Sequence, residues 1–483
     1  MAKVETIVFL SLVLDLFAFT IPLPLFPRLI EWYTLRETSD PSGFLSRTLQ
    51  FVSYVRGLFY DPGSHSRRWD VVLLGGLMGS VFSTLQFLVS PRIGALSDRY
   101  GRKRILLITM IGNILSAVVW IQSTTFASYM LSRVIGGLSE GNVQLAIAIL
   151  SDITTAENRS KALAYVGIAF AICFCIGPPI GAYFASRPLP QSVGSWGPEL
   201  NVYAVPAILT LILLVAETMF LAALLPETRG QGAHFPAESK PGGSPIHLSG
   251  NKKSSNGGPP KPNRRPTIEN RLQLLRSLRR LHFLFLGIFS GVEFTLTFLT
   301  FDFYIVLDWN NKQNGMLIGS IGIISALLQG GYVRRSTAKI GEGVMAKRGV
   351  SSCALGLIFL ALMPQFVTTN PNLSIWLLRA SAVCMAFTSA TVVNSLTAFA
   401  SLQCNDSTFD EVTGKPVEEH PDLAKGKALG QFRSSGQLGR AIGPLLACAS
   451  YWTFGPSYTY GVSAIAMFAL SAGMRSLAAT KSS

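Results

Sequence analysis

The chain has 483 residues, of which 49% are hydrophobic and only 14% charged, with a formal net charge of +15 and a mean hydropathy of +0.39. Soluble domains carry about a quarter charged residues, so a large water-soluble protein is excluded. The excess charge sits in loops between apolar runs, where it sets membrane topology and does not point to nucleic acid.

Twelve apolar runs approach the roughly 20 residues that carry a helix across a bilayer. They cover 4–27, 70–92, 105–122, 126–149, 161–185, 202–225, 281–305, 314–333, 349–368, 372–400, 426–449 and 456–477. This pattern predicts an all-α membrane protein of twelve transmembrane helices. The first run lacks a small-residue cleavage site and carries an acid midway, so it reads as the first span and not as a cleaved signal. That acid is Asp15. A charge at a helix centre costs about 2.5–3.5 kcal/mol on insertion scales, so it should face a cavity or a partner. Asp15 is therefore a proton- or cation-binding group, or one half of a structural ion pair.

A long loop, 28–69, follows on the non-cytoplasmic side. Its Phe44, Leu45, Leu49, Val52, Val55 and Phe59 recur at helical spacing, which predicts an amphipathic helix lying on the membrane or capping a cavity mouth. After span two comes "GALSDRYGRK", residues 94–103. Topology alone explains Arg102, Lys103 and Arg104, but not Asp98 or the glycines. Gly94 and Gly101 permit close backbone approach and a tight turn. Asp98 is placed to meet a helix N-terminus or a nearby base, holding one arrangement of the helices.

In span four, Arg133, Gly137, Glu140 and Gln144 are spaced i, i+4, i+7 and i+11, one face of a helix. Such a polar stripe lines a cavity or glues helices together, and Arg133 is set to pair with Asp15 or Glu140. Span five carries Gly177-Pro178 and Gly181, and span six carries Glu217, which reads, like Arg379 in span ten, as paired or snorkelling near the span end. Residues 229–280 are Pro, Gly and Ser rich and basic, the composition of a disordered linker. Span seven places Glu293, Thr297, Thr300 and Tyr304 on one face, with Asp302 nearer the outer end. Arg379 lies in span ten. In span eleven Arg433, Gln437 and Arg440 share a face that ends on Gly443-Pro444. Those arginines suit an anionic substrate group or partners for Glu293.

Spans five and eleven repeat one another. "SKALAYVGIAFAICFCIGPPIG" and "GKALGQFRSSGQLGRAIGPLLA" put Lys161 and Lys427 each 16 residues before a Gly-Pro pair. Two parallel halves around a midplane site follow. They are 1–228 and 281–483, pseudo-symmetric six-helix bundles joined by the linker. Arg99, Arg102, Lys103, Arg104, Arg159, Lys161, Arg334, Arg335, Lys347 and Arg348, with the basic linker, fall on one side of the membrane if twelve spans are right. By the positive-inside rule that side is cytoplasmic, and both termini share it. The membrane itself, plasma or internal, is left open. The sequon at Asn372 lies very close to the membrane on the other side.

The six cysteines lack the spacing of a zinc site or a disulfide framework. No metal-ligand cluster, nucleophile elbow or G-x-x-x-x-G-K-[ST] loop is present. The expectation is no metal, no other cofactor, no ATP drive and no enzyme.

Residues 94–103 resemble the signature loop of the major facilitator superfamily, G-x-L-x-D-R-x-G-R-[KR]. Gly94, Asp98, Arg99, Gly101, Arg102 and Lys103 all fall in place. "LSRVIGG" resembles the family's span-four motif, with Arg133 at its arginine. "GPPIG" resembles its span-five antiporter motif. "VLDLFAFTIPLPLFPRLIEWY" is similar to the first helix of tetracycline/proton antiporters and vesicular amine transporters, and "SGVEFTLTFLTF" resembles eukaryotic tetracycline-transporter-like members. The resemblance covers nearly the whole chain. It implies the major facilitator fold, a latch role for loop 94–103, and a part for Arg133 in proton coupling. The second half keeps only a degraded copy of the latch, "VRRSTAKIGEG".

Residues and resemblance together lead to a monomeric secondary transporter. Its expected activity is proton-coupled antiport of small amphipathic organic ions by alternating access, with efflux as the direction. Asp15, Arg133 and Glu293 would couple protons, and Glu140, Gln144, Thr297, Arg433, Gln437 and Arg440 would line the cavity. Two alternatives stay open: an uncoupled uniporter or lipid-like solute exporter, and a transport-dead receptor or scaffold.

Overall fold

In hydrocarbon every backbone amide and carbonyl must be satisfied within its own segment, so apolar runs fold as helices. The computed structural model describes residues 3–22, 25–37, 40, 42–57, 66–185, 201, 203–229, 267–301, 311–405 and 420–475. These form sixteen α-helices, and no strand occurs among the described residues. Span one is α1 (Val4–Thr20), followed by α2 (Phe26–Arg36), and α3 (Phe44–Gly57) lies within the long first loop. Then come α4 (Ser66–Tyr100) and α5 (Arg102–Ile121), and span four as two pieces, α6 (Phe126–Ser139) and α7 (Asn142–Ile153). Spans five and six are α8 (Ala156–Ala185) and α9 (Ala204–Leu224).

The second half opens with α10 (Ile268–Phe301). Next, α11 (Asn311–Leu327) runs through a π-helical turn, Leu328–Val333, into α12 (Arg334–Ile340). Spans nine to twelve are α13 (Glu342–Leu362), α14 (Pro371–Leu402), α15 (Lys425–Phe454) and α16 (Pro456–Gly473). Seven spans are individually long and apolar enough to cross a membrane among the described residues. The others are shorter or carry more polar residues. Residues 230–266, most of the expected linker, lie outside the described residues.

The lipid-facing and core-facing stripes follow helical periodicity. On α9, Ile208, Ile212, Val215 and Met219 are exposed, while Thr210, Leu214, Glu217 and Leu221 are buried. On α3, Leu45 and Val52 are buried and Phe44, Phe51 and Tyr54 exposed. The Phe44 ring also stacks on Phe126 at the start of α6. Glu37, just past α2, accepts a hydrogen bond from the Phe126 amide at 2.6 Å, satisfying an otherwise orphaned donor of α6. The first loop is thereby fastened to the end of span four.

The expected continuous helix over 126–149 is interrupted at Glu140-Gly141. Glu140 turns to ψ 98° and Gly141 to φ −129°, ψ −8°. Glycines at 136, 137 and 141 weaken the helix there. One polar face therefore does not run from Arg133 to Gln144.

The Gly-Pro pairs lie inside α8 and α15, which run on through Pro178, Pro179 and Pro444. The glycines permit close packing. A Cβ on Gly177 or Gly181 would overlap Thr20 or Ile21 of span one, and a Cβ on Gly443 would overlap the Gly287 carbonyl of α10. Overfilling such a contact costs about 1–3 kcal/mol. Gly443→Val should lower the unfolding temperature of the detergent-solubilised protein; an unchanged temperature would show that α10 and α15 have slack.

Candidate functional site

The N-terminal half contains a cavity lined by Asp15, Phe19, Phe82, Asn113, Arg133 and Glu140, among others. Asp15 is 5% exposed. Its Oδ1 accepts a hydrogen bond from Asn142 Nδ2 at 2.6 Å. Asn142 is the first residue of α7, so the break in span four delivers this donor to the acid. Discontinuous helices of this kind are tolerated in membranes where they line a cavity. The Arg133 guanidinium lies over the Phe82 ring at 5.0 Å and within electrostatic reach of Glu140. Arg433 on α15, from the other half, reaches Glu140 and Asp15 electrostatically. Two acids thus lie within electrostatic range of two arginines, the second of them contributed by the other half.

The other expected site residues are distributed differently. Gln144 is buried on α7 and donates to the Ser90 carbonyl of α4 at 3.0 Å. Glu293 is exposed on α10. Gln437 is half-buried and Arg440 exposed on α15, with Arg440 in electrostatic contact with Arg433. Arg379 is exposed, with its guanidinium 5.6 Å from the Trp376 ring. The Thr297 side chain and residues 302–310, with Asp302 and Tyr304, lie outside the described residues. Two further residues emerge here, Asn142, which the sequence does not single out, and Glu217, read from it as paired or snorkelling. Asn142 is signalled only by "SEGN", a run of poor helix formers. Glu217 is fully buried, does not line the cavity, and accepts from Ser11 Oγ at 2.8 Å.

A second constellation closes the basic face. Gly101 has φ +104°, a conformation natural to glycine, and ends α4 so that α5 can begin. Glu227, beyond α9, accepts from the amides of Arg102 at 2.8 Å and Lys103 at 3.2 Å, capping α5. The sequence hint was an acid in "PETRG". Arg102 is 3% exposed and pairs with Asp98 at 2.8 Å and Asp152 at 2.9 Å. Asp98 meets both a base and a helix N-terminus: its oxygens accept from Gly426 N at 2.8 Å and Lys427 N at 2.7 Å, at the start of α15. Negative charge there is favoured by the helix dipole.

Further contacts tie the same face. Lys425 pairs with Asp152 at 3.4 Å and donates to the Ser151 carbonyl at 2.8 Å. Gly94 and Gly426 touch so closely that a Cβ on either would overlap the other's carbonyl. Arg99 stays at the rim, over the Tyr100 ring at 5.3 Å, and Lys103 Nζ donates to the Ala222 carbonyl. In the degraded copy, Gly341 adopts φ +92° like Gly101. Glu342 follows it and accepts from Ser160 Oγ of the first half.

This charge cluster, on a two-halved helical bundle, matches a known pattern. The Major Facilitator Superfamily profile covers residues 8–414. The chain belongs to the major facilitator superfamily. Among superfamily members, it is 32% identical over 460 residues to major facilitator superfamily domain-containing protein 10 of Mus musculus, covering 95% of this chain and 90% of that one. The crystal structure of the human organic anion transporter MFSD10 (TETRAN) superposes with a TM-score of 0.74 at 29% identity, covering 98% of this chain and 99% of that chain. The tetracycline resistance protein, class H, of Pasteurella multocida is 33% identical over 106 residues, 22% of this chain and 26% of its own length. This major facilitator is therefore a multi-pass integral membrane protein with the twelve-helix fold, a transporter and not an enzyme.

Proposed function

We propose that the protein is a proton-coupled carrier of small amphipathic organic anions working by alternating access. The observation that carries this is the cluster of Asp15, Glu140, Arg133 and Arg433. With all four ionised, its charges sum to zero. A proton on either acid leaves an excess arginine charge, which an organic anion neutralises. Proton and anion then favour each other's binding by linkage. Aromatic walls, Phe19 and Phe82, suit the apolar body of such a substrate. The likeness to a human organic anion transporter supports the same substrate class.

Because Arg433 comes from the opposite half, the site is assembled only when the halves are juxtaposed. The closed latch at Asp98 fixes this state with the basic face shut. That face is the cytoplasmic one, both termini lie on it, and the chain acts as a monomer in the bilayer; its two six-helix halves are joined by a linker shorter than the expected 229–280, because α10 already begins at Ile268.

A second reading is proton antiport of an organic cation, in which substrate and proton compete for Asp15 and Glu140. The likeness to a tetracycline resistance protein favours it. Uptake of a labelled panel of organic anions and cations into proteoliposomes separates the two. The anion reading expects saturable anion uptake that Arg433→Gln reduces about 10-fold or more, the worth of one charge-assisted contact. Uptake of cations alone would overturn it in favour of exchange.

A further inference from the structure

Span six holds a buried acid, Glu217, that does not line the cavity. We propose that Glu217 is a second proton-binding site of the N-terminal half, a carboxylic acid held protonated in this conformation and kept in register by Ser11; its use in transport rests on the proton-coupled reading above.

α9 is the most apolar of the seven candidate spans, and an acid within it carries a high insertion cost. Glu217 is 0% exposed. Oε1 accepts the Ser11 hydroxyl at 2.8 Å, while Oε2 is buried with no hydrogen-bond partner among the described residues. A carboxylate offers about four lone-pair sites, and here one donor serves them.

Among the described residues no salt bridge to Glu217 occurs, and the groups that act on it electrostatically carry no positive charge. α9 packs on α1, α5 and α8. α1 presents Ser11 and Asp15, and α8 presents Cys173, whose thiol donates to the Val13 carbonyl at 3.4 Å. From α5 comes Lys103, whose ammonium sits at the far end of α9 on the Ala222 carbonyl. The charged groups that act on Glu217 are Asp15 and Glu140, both acids. An ionised Glu217 would thus be a buried charge without a cation, costing several kcal/mol. The neutral acid leaves one polar group unsatisfied, at about 1–3 kcal/mol, less than the buried charge.

Ser11 and Asp15 are one helical turn apart on one face of α1, and Glu217 of α9 meets that face at Ser11. Interacting acids of this kind titrate as a unit. A proton leaving the Glu217 carboxyl and taken up by the Asp15 carboxylate moves one charge toward the cavity and forms no other bond. In a conformation that opens Glu217 to water, where its ionised form is no longer penalised, Glu217 acts as a store that reloads the cavity acid.

The test is infrared difference spectroscopy of the full-length protein in lipid bilayers at neutral pH, where a protonated carboxyl shows a carbonyl stretch distinct from carboxylate. A protonated-carboxyl band that disappears in Glu217→Gln is the expected result. In Ser11→Ala, which keeps the acid and removes its hydrogen bond, the band persists at higher frequency. A spectrum unchanged by Glu217→Gln overturns the proposal, as does a band unmoved by Ser11→Ala. The two readings fail separately. If the band is present but wild-type protein moves substrate without protons, the coupling reading fails and the proton-binding site at Glu217 stands. If protons move with substrate and the band is absent, the store alone is overturned.

Discussion

Asp98→Asn should unlatch the basic face and cut transport about 10-fold or more. Asp98 accepts from two amides in the first turn of α15 and also neutralises Arg102, which is 3% exposed. The asparagine keeps one acceptor but loses the charge, leaving Arg102 with Asp152 alone. Removing one partner of a buried charge network costs about 3–5 kcal/mol. That shifts a two-state equilibrium on the order of 100-fold or more. Spin labels at Lys161 and Arg348, exposed positions on the basic face of the two halves, should report a longer distance in the mutant. An unchanged distance distribution would mean that Gly94 packing on Gly426, and not the charges, holds the face shut.

The second large effect is expected at Asp15. Asp15→Asn preserves an acceptor for Asn142 and so keeps the break in span four folded against α1. It removes one of the two cavity acids, leaving Glu140 against Arg133 and Arg433. The cavity then carries its positive excess without a proton. Anion uptake should persist while losing its pH dependence. In the wild type, one proton per anion permits about a 10-fold accumulation ratio for each unit of pH gradient, since 1.4 kcal/mol is a factor of ten. In the mutant that ratio should collapse to about one. Accumulation that survives Asp15→Asn would move the coupling proton to Glu140.

The fold was legible because its cues are long and redundant. Apolar runs near bilayer length, a basic loop between spans two and three, and a Gly-Pro repeat six spans apart all point one way. The latch was legible in part. Asp98 could be placed against a helix N-terminus, but nothing near it in sequence identifies that helix as α15, 328 residues along the chain. The cavity was less legible, for a local reason. Counting four residues per turn through span four assumes an unbroken helix, and Glu140-Gly141 breaks it. The error turned Asn142 away from Asp15 and left Gln144 on the cavity face, whereas its amide binds the Ser90 carbonyl. Depth was the other gap. Glu293 and Glu217 are both lone acids in apolar spans, yet one is exposed and the other fully buried with its own serine donor. Only packing separates them.

The central claim is that proton and organic anion share one cavity and bind together. It is tested most directly by recording internal pH in proteoliposomes while a labelled organic anion is added outside with no imposed gradient. The account predicts that the interior acidifies in step with anion uptake, and that Asp15→Asn takes up anion without acidification. Anion flux in the wild type with no pH change, or with alkalinisation, would contradict it.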